Sequence, residues 1–77
     1  MALTVEFTIE PFVPGEPGPH VRAAVEAAER SGLAVDFGPF GTTVAGDDET
    51  VLAAVDQILR AAVAAGATRI SLQVARP

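Results

Sequence analysis

The sequence predicts an α+β fold, in which a four-stranded antiparallel sheet carries two helices on one face. Short segments of alternating or β-branched apolar residues indicate strands. Two longer segments have apolar residues at helical spacing. Their order along the chain is β-α-β-β-α-β. Two βαβ halves joined by a hairpin give the ferredoxin-like sandwich, and we expect residues 1–77 to form one such domain.

The first strand has the clearest pattern. Apolar and polar residues alternate along it: Leu3, Val5, Phe7 and Ile9 against Thr4, Glu6, Thr8 and Glu10. The apolar side is expected to pack under the helices, whereas the polar side is too hydrophilic for a second core. Pro11 ends the strand, and the prolines and glycines that follow it predict a loop.

The first helix is predicted from Pro19 to Ser31. Proline suits the first helical position because its missing N–H has no partner there. An apolar stripe follows at helical spacing: Val21, Ala24, Val25 and Ala28. Gly32 stands where a left-handed C-terminal cap belongs.

The second half begins with a hairpin. Leu33, Val35 and Phe37 alternate as a second strand, and residues 42–45 (Thr-Thr-Val-Ala) predict a third. Residues 38–41 (Gly-Pro-Phe-Gly) connect them.

The second helix and the last strand complete the pattern. Asp47 and Asp48 are expected to cap the helix and to favour its positive end. Its predicted apolar face comprises Val51, Leu52, Val55, Ile58, Leu59, Ala62 and Val63. Gly66 is expected to end the helix. The last strand alternates Ile70, Leu72 and Val74 with polar residues.

Size and charge restrict the partners. A 77-residue chain without cysteine buries only about 60% of its unfolded surface, so we expect a homo-oligomer. The formal net charge of −5 opposes binding to nucleic acid and to anionic membranes. The sequence has no recognisable signal peptide or membrane span, which predicts a cytoplasmic protein.

Residues for catalysis are scarce. The chain has one histidine, His20, and no cysteine, lysine, tyrosine or asparagine, so we predict no enzyme activity. A lone histidine with scattered carboxylates makes no metal site. His20 itself has two interpretations, a solvated residue of the first helical turn or a residue at the rim of a ligand pocket.

The segment 38–47 (Gly-Pro-Phe-Gly-Thr-Thr-Val-Ala-Gly-Asp) resembles the signature of the small thiamine-binding proteins of the YkoF-like superfamily. The segments 5–11 and 66–70 resemble the same family, and the similarity covers nearly the whole chain in one register. The resemblance implies a ferredoxin-like subunit that assembles into dimers or tetramers. It also implies binding of thiamine or its hydroxymethylpyrimidine moiety, with thiamine as ligand and no cofactor.

The resemblance carries over five candidate ligand-binding residues: Gly41, Thr42 and Thr43 in the family motif, Phe40 at its aromatic position, and Thr8 in the first strand. Glu6 and His20 are added to these candidates because of their chemistry. Glu6 or Glu10 is expected to lie near the positive charge of thiamine, and Glu6 is preferred because it shares the polar strand face with Thr8. Many relatives have a serine-rich loop after the first strand, whereas residues 13–20 here contain no serine. Any ligand contacts of those serines are therefore expected to be lost or to be replaced by His20 or Glu16.

Two other functions stay open. One is a regulatory module akin to ACT domains, which share the topology and bind amino acids at subunit interfaces. The other is a structural or stress-related oligomer that has no small ligand.

Overall fold

The computed structural model describes residues 2–11, 18–38 and 41–76. The elements are β1 (Ala2–Glu10), α1 (Pro19–Arg30), β2 (Ala34–Phe37), β3 (Thr42–Asp47), α2 (Asp48–Ala64) and β4 (Arg69–Ala75). The strands form one sheet in the order β2-β3-β1-β4, with every neighbouring pair antiparallel. The predicted ferredoxin-like α+β fold is therefore confirmed, with element ends within about two residues of prediction.

The core lies between the sheet and the helices. Strand β1 occupies the middle of the sheet, and its four apolar side chains are buried, as predicted: Leu3, Val5, Phe7 and Ile9. They pack with Val44 of β3 and with buried residues of both helices. The polar residues of β1 point to the other side, because side chains alternate along a strand.

Helix α1 packs through small residues. Ala24, Ala27 and Ala28 are buried beside Val21, so the helix approaches the sheet and α2 closely. Its end agrees with the prediction, since Gly32 has φ +81° and follows the last turn.

The apolar face of α2 is narrower than predicted. Val51, Ile58 and Ala62 are buried, together with Ala54, which the prediction had left out. Leu52, Leu59 and Val63 are exposed instead. The reason is geometric: these three residues lie on the flank of α2, roughly 100° of helical rotation from Val51, beyond the arc covered by the sheet.

An ion pair lies at the start of α2. Asp47 occupies the predicted N-cap position, but its side chain makes no capping hydrogen bond. Arg76 Nη2 donates to Asp48 Oδ2 at 3.2 Å, which joins the end of β4 to the first turn of α2. No helix in the described part of the chain has the length and apolarity needed to cross a membrane.

Replacing Gly66 by alanine should lower the free energy of unfolding by about 1–2 kcal/mol, because Gly66 has φ +104° and a Cβ there is strained. No atom lies within 4 Å of the added methyl group, so the loss would come from the backbone alone. Urea unfolding followed by circular dichroism measures it. Gly66→Asn should lower the free energy of unfolding less than Gly66→Ala does, since asparagine tolerates positive φ better than alanine. A Gly66→Ala protein as stable as the wild type would contradict this.

Candidate functional site

The sheet has an open face, on the side away from the core. It is formed by Thr4, Glu6 and Thr8 of β1, Thr43 and Ala45 of β3, Ala34 and Asp36 of β2, and Ser71 and Gln73 of β4. These residues are exposed or half-buried, and none is fully buried. Both described helices pack against the opposite face, where the buried side chains lie.

A polar row crosses the whole open face. Strand pairing sets Glu6 opposite Thr43 on one side and opposite Gln73 on the other. Thr43 is in turn opposite Asp36. The row is therefore Asp36, Thr43, Glu6 and Gln73, one residue from each strand. Because neighbouring strands lie about 4.8 Å apart, the backbones of Asp36 and Glu6 are roughly 10 Å apart with Thr43 between them.

A second group of hydroxyls lies next to this row. Thr8 is opposite Ser71, and Gly41 lies beside Thr8. A Cβ at Gly41 would stand 3.2 Å from Thr8 Cγ2 and 3.3 Å from the carbonyl oxygen of Phe7. Glycine at this position thus keeps the flank of Thr8 free. A shallow depression of about 70 Å³ lies here, lined by Glu6, Phe7, Thr8, Ser71 and Gln73.

The charge of the open face is negative at its centre. In the described ranges, neither Glu6 nor Asp36 forms an ion pair. Another carboxylate on this side, Glu10, has Oε2 3.6 Å from Arg69 Nε, so its charge is compensated at the end of β1. A cation placed over Thr43 would therefore have an uncompensated carboxylate on either side.

Thr42 and Thr43 lie on opposite sides of the sheet. Thr42 is only 3% exposed and is paired with Phe7 and Phe37 on the side that the helices cover. The cavity next to it has a volume of about 10 Å³, which accommodates about one water molecule. The structure brings Glu6, Thr8, Gly41 and Thr43 together, and it does not bring Thr42 to them.

His20 is buried, and its interpretation as a solvated residue is wrong. The side chain is 9% exposed, and its Nε2 donates a hydrogen bond to the carbonyl oxygen of Pro11. Gly18 lies against the ring, since a Cβ there would be 2.7 Å from His20 Cε1. His20 thus connects the first turn of α1 to the end of β1. Its polar contact is with the backbone, not with the open-face residues.

Phe40 lies outside the described residues, so its predicted contact with the ligand stays a prediction. Asp36 and Gln73 are the two residues of the polar row that were not among the candidate ligand-binding residues. A signal was present: Asp36 alternates with Val35 and Phe37, and a hairpin centred on residues 38–41 sets it opposite Thr43. Ser71 and Gln73 are polar residues that alternate with Ile70, Leu72 and Val74 in the predicted last strand, and neither was a candidate ligand-binding residue.

The polar groups of the open face suit the binding of a cation more than they suit acid–base catalysis. Glu6 and Asp36 are two strands apart, which is too far for a coupled acid–base pair. Among the described residues, no three histidine, aspartate or glutamate side chains are grouped closely enough to hold a metal ion. What the face offers is carboxylates, hydroxyls and an amide arranged around a shallow depression.

The scan against family models identifies a family for the chain. Residues 5–75 match the family model described as thiamine-binding protein. No curated protein sequence matches the chain.

Solved structures share the fold. A domain of unknown function from Bacillus cereus, DUF77, superposes with a TM-score of 0.74 at 25% identity, over 99% of this chain and 76% of that one. A hypothetical protein from Methanocaldococcus jannaschii has a TM-score of 0.75 at 22% identity, over 99% and 80% of the two chains. A Thermotoga maritima protein is provisionally described as a thiamine biosynthesis/salvage protein. It has a TM-score of 0.56 at 24% identity, and the match covers 97% of this chain and 81% of that one.

Proposed function

The chain belongs to the thiamine-binding protein family, and on that premise we propose that it binds thiamine, or its hydroxymethylpyrimidine moiety, without converting it. One observation carries the proposal. The polar row of the open face holds two uncompensated carboxylates on either side of a threonine. Thiamine combines a positively charged thiazolium with an aminopyrimidine, so it needs both negative charge and hydrogen-bonding partners.

The two halves of thiamine suit two neighbouring parts of the open face. The thiazolium lies over Thr43, between Glu6 and Asp36, where the negative charge is greatest. The aminopyrimidine lies toward Thr8 and Ser71, whose hydroxyls both donate and accept hydrogen bonds. Gly41 leaves room for the ring beside Thr8, and an aromatic contact from Phe40 stays a prediction from the family motif.

The absence of a chemical step is part of the proposal. Its support is the shortage of catalytic side chains: the only histidine is His20, and its Nε2 is engaged by the backbone of Pro11. A nucleophile would need a base within hydrogen-bonding reach, and the chain has neither cysteine nor lysine.

The unphosphorylated form is the proposed ligand. A phosphate group would add negative charge beside Glu6 and Asp36 on a chain whose formal net charge is already −5. We place the protein in the cytoplasm as a homo-oligomer, a dimer or a tetramer. Support for the oligomer is the small size of the chain, which limits the core that one copy can build.

Titration calorimetry with thiamine, hydroxymethylpyrimidine, thiamine monophosphate and several amino acids tests the proposal. Saturable binding of thiamine or the pyrimidine at about one site per chain is expected. Binding of an amino acid alone would favour the ACT-like module, and no heat with any compound would favour the structural oligomer.

Thr43→Val should weaken thiamine binding about three- to tenfold, because a hydrogen bond contributes about 0.5–1.5 kcal/mol net. The adjacent Thr42→Val is the matched control, since it makes the same change on the covered face of the sheet. We expect it to leave the affinity unchanged. Calorimetry on both variants measures the difference. Equal affinities for Thr43→Val and the wild type would remove Thr43 from the site.

A further inference from the structure

A groove lies between helix α1 and the edge strand β2, on the helix side of the sheet and away from the open face. Its volume is about 200 Å³, and its apolar part is formed by Val21 and Val25 of α1 and Phe37 of β2. Phe37 is 46% exposed because β2 stands at the edge of the sheet. We name these three side chains, together with the free edge of β2, the α1–β2 groove.

The free edge of β2 has unpaired backbone groups. Within the described part of the chain, β2 has a neighbour only in β3. The N–H of Gly38 donates to the carbonyl oxygen of Gly41 at 2.8 Å, so these two residues are a hydrogen-bonded pair of the ladder. Bonded and non-bonded pairs alternate in an antiparallel ladder, so the backbone of Asp36 bonds to β3. Val35 and Phe37 therefore present their N–H and C=O groups to the free edge.

An extended segment that pairs antiparallel with this edge has a fixed side-chain pattern. Its residues opposite Val35 and Phe37 have their side chains on the same side of the sheet as these two, because directly opposite residues share a face. Those side chains enter the groove beside α1, whose surface there is apolar. The residue between them is opposite Asp36 and points to the open face. Backbone pairing with pockets for alternate side chains is how sheet edges recognise extended peptides.

The charges around the groove favour a basic residue at the middle position. Asp36 is exposed, and neither Asp36 nor Glu29 of the groove lining forms an ion pair with a described residue. Glu26 Oε2 is 4.0 Å from Arg30 Nη1, and Arg22 is the one basic residue among the described lining residues. A cationic side chain opposite Asp36 therefore gains a favourable pair, whereas an acidic one is repelled.

A second copy of this chain is a poor match for the edge. Pairing of two β2 strands about their centre sets Asp36 opposite Asp36, and like charges directly opposite each other are destabilising. The other described strands do not have the required pattern either, since none contains a basic residue between two apolar residues. The occupant that fits is therefore a segment of a different protein.

We propose that the α1–β2 groove binds an extended segment of another protein in which a lysine or arginine stands between two apolar residues. The segment pairs antiparallel with β2, its apolar side chains pack against Val21 and Val25, and its basic side chain lies opposite Asp36. This interaction goes beyond thiamine binding and is measured without thiamine, so its outcome is separate from that of the calorimetric titration.

Nuclear magnetic resonance titration of the full chain with the capped peptide Thr-Val-Lys-Val-Thr tests the proposal. The amide resonances of Val35 and Phe37 should shift in a saturable manner at millimolar peptide. The same peptide with glutamate in place of lysine should bind at least about tenfold more weakly, because attraction to Asp36 becomes repulsion. The Asp36→Lys protein should have the reverse preference and bind the glutamate peptide more tightly.

Methylation of the peptide backbone provides a matched control on the unaltered protein. The N–H groups of the two valines face β2, whereas the N–H of the lysine faces away from it. N-methylation of either valine should therefore abolish the shifts, and N-methylation of the lysine should leave the affinity nearly unchanged.

Three results would overturn the proposal: Val35 and Phe37 amides that do not shift, lysine and glutamate peptides that bind equally, or equal losses on methylation of a valine and of the lysine. Shifts confined to β4 amides would locate binding at the other edge of the sheet and would overturn it as well. If the Asp36→Lys protein fails to fold, the methylated peptides decide, because they are measured on the wild type.

Discussion

The double variant Glu6→Gln/Asp36→Asn should bind thiamine about thirtyfold more weakly than the wild type. Each carboxylate next to a cation contributes about 1 kcal/mol at an exposed site, and two together about 2 kcal/mol. Both side chains are exposed and keep their size and polarity in the variant, so the fold should be retained. Titration calorimetry at low ionic strength measures the change, since salt screens exposed charges.

The chemistry of the ligand provides an internal control. Hydroxymethylpyrimidine lacks the thiazolium cation, so its affinity should fall much less than that of thiamine in the same variant. Glu29→Gln/Glu49→Gln removes two exposed carboxylates from the helices and should leave both affinities unchanged. An equal loss of affinity for thiamine and for hydroxymethylpyrimidine would mean that the carboxylates do not recognise the cation. Equal loss in the control variant would indicate a general effect of net charge.

Phe7→Ala should lower the free energy of unfolding by about 3–5 kcal/mol and leave much of the protein unfolded. Phe7 is 2% exposed and is among the largest fully buried side chains, in the middle strand of the sheet. A chain of 77 residues has a total stability of roughly 4–12 kcal/mol, so this loss approaches the whole of it at the lower end.

Urea unfolding followed by far-ultraviolet circular dichroism measures the effect, because the chain has no tryptophan or tyrosine for fluorescence. Phe37→Ala is the matched control: the same side chain is removed where it is 46% exposed, and the loss should stay below about 1 kcal/mol. If Phe7→Ala and Phe37→Ala lowered the free energy of unfolding by similar amounts, the position of the core between β1 and the helices would be contradicted.

The sequence predicted the local features of the fold because they depend on neighbouring residues. Alternation from Leu3 to Ile9 requires one buried and one polar face whatever the rest of the chain does. Gly32 and Gly66 ended their helices as expected, since both have positive φ, which glycine adopts without a Cβ clash.

The candidate site was predicted only in part, for a related reason. Glu6 and Thr8 were correctly assigned to one face from their spacing on a single strand. The motif residues Thr42 and Thr43 had been grouped by their adjacency in sequence, although adjacent residues of a strand point to opposite faces. Alternation along the strand puts Thr42 and Thr43 on opposite faces of the sheet. The pairing of Thr42 with Phe7 and Phe37 then identifies Thr42 as the residue on the covered face.

What the sequence determined by itself was the set of elements, their order and the buried face of β1, because periodicity is a local property of the chain. Tertiary structure alone decided three other matters. It placed Asp36 in one row with Glu6 and turned His20 to the carbonyl of Pro11. It also left one flank of α2 exposed. Each depends on strand register or helix rotation, which the packing of distant segments fixes and no single segment encodes.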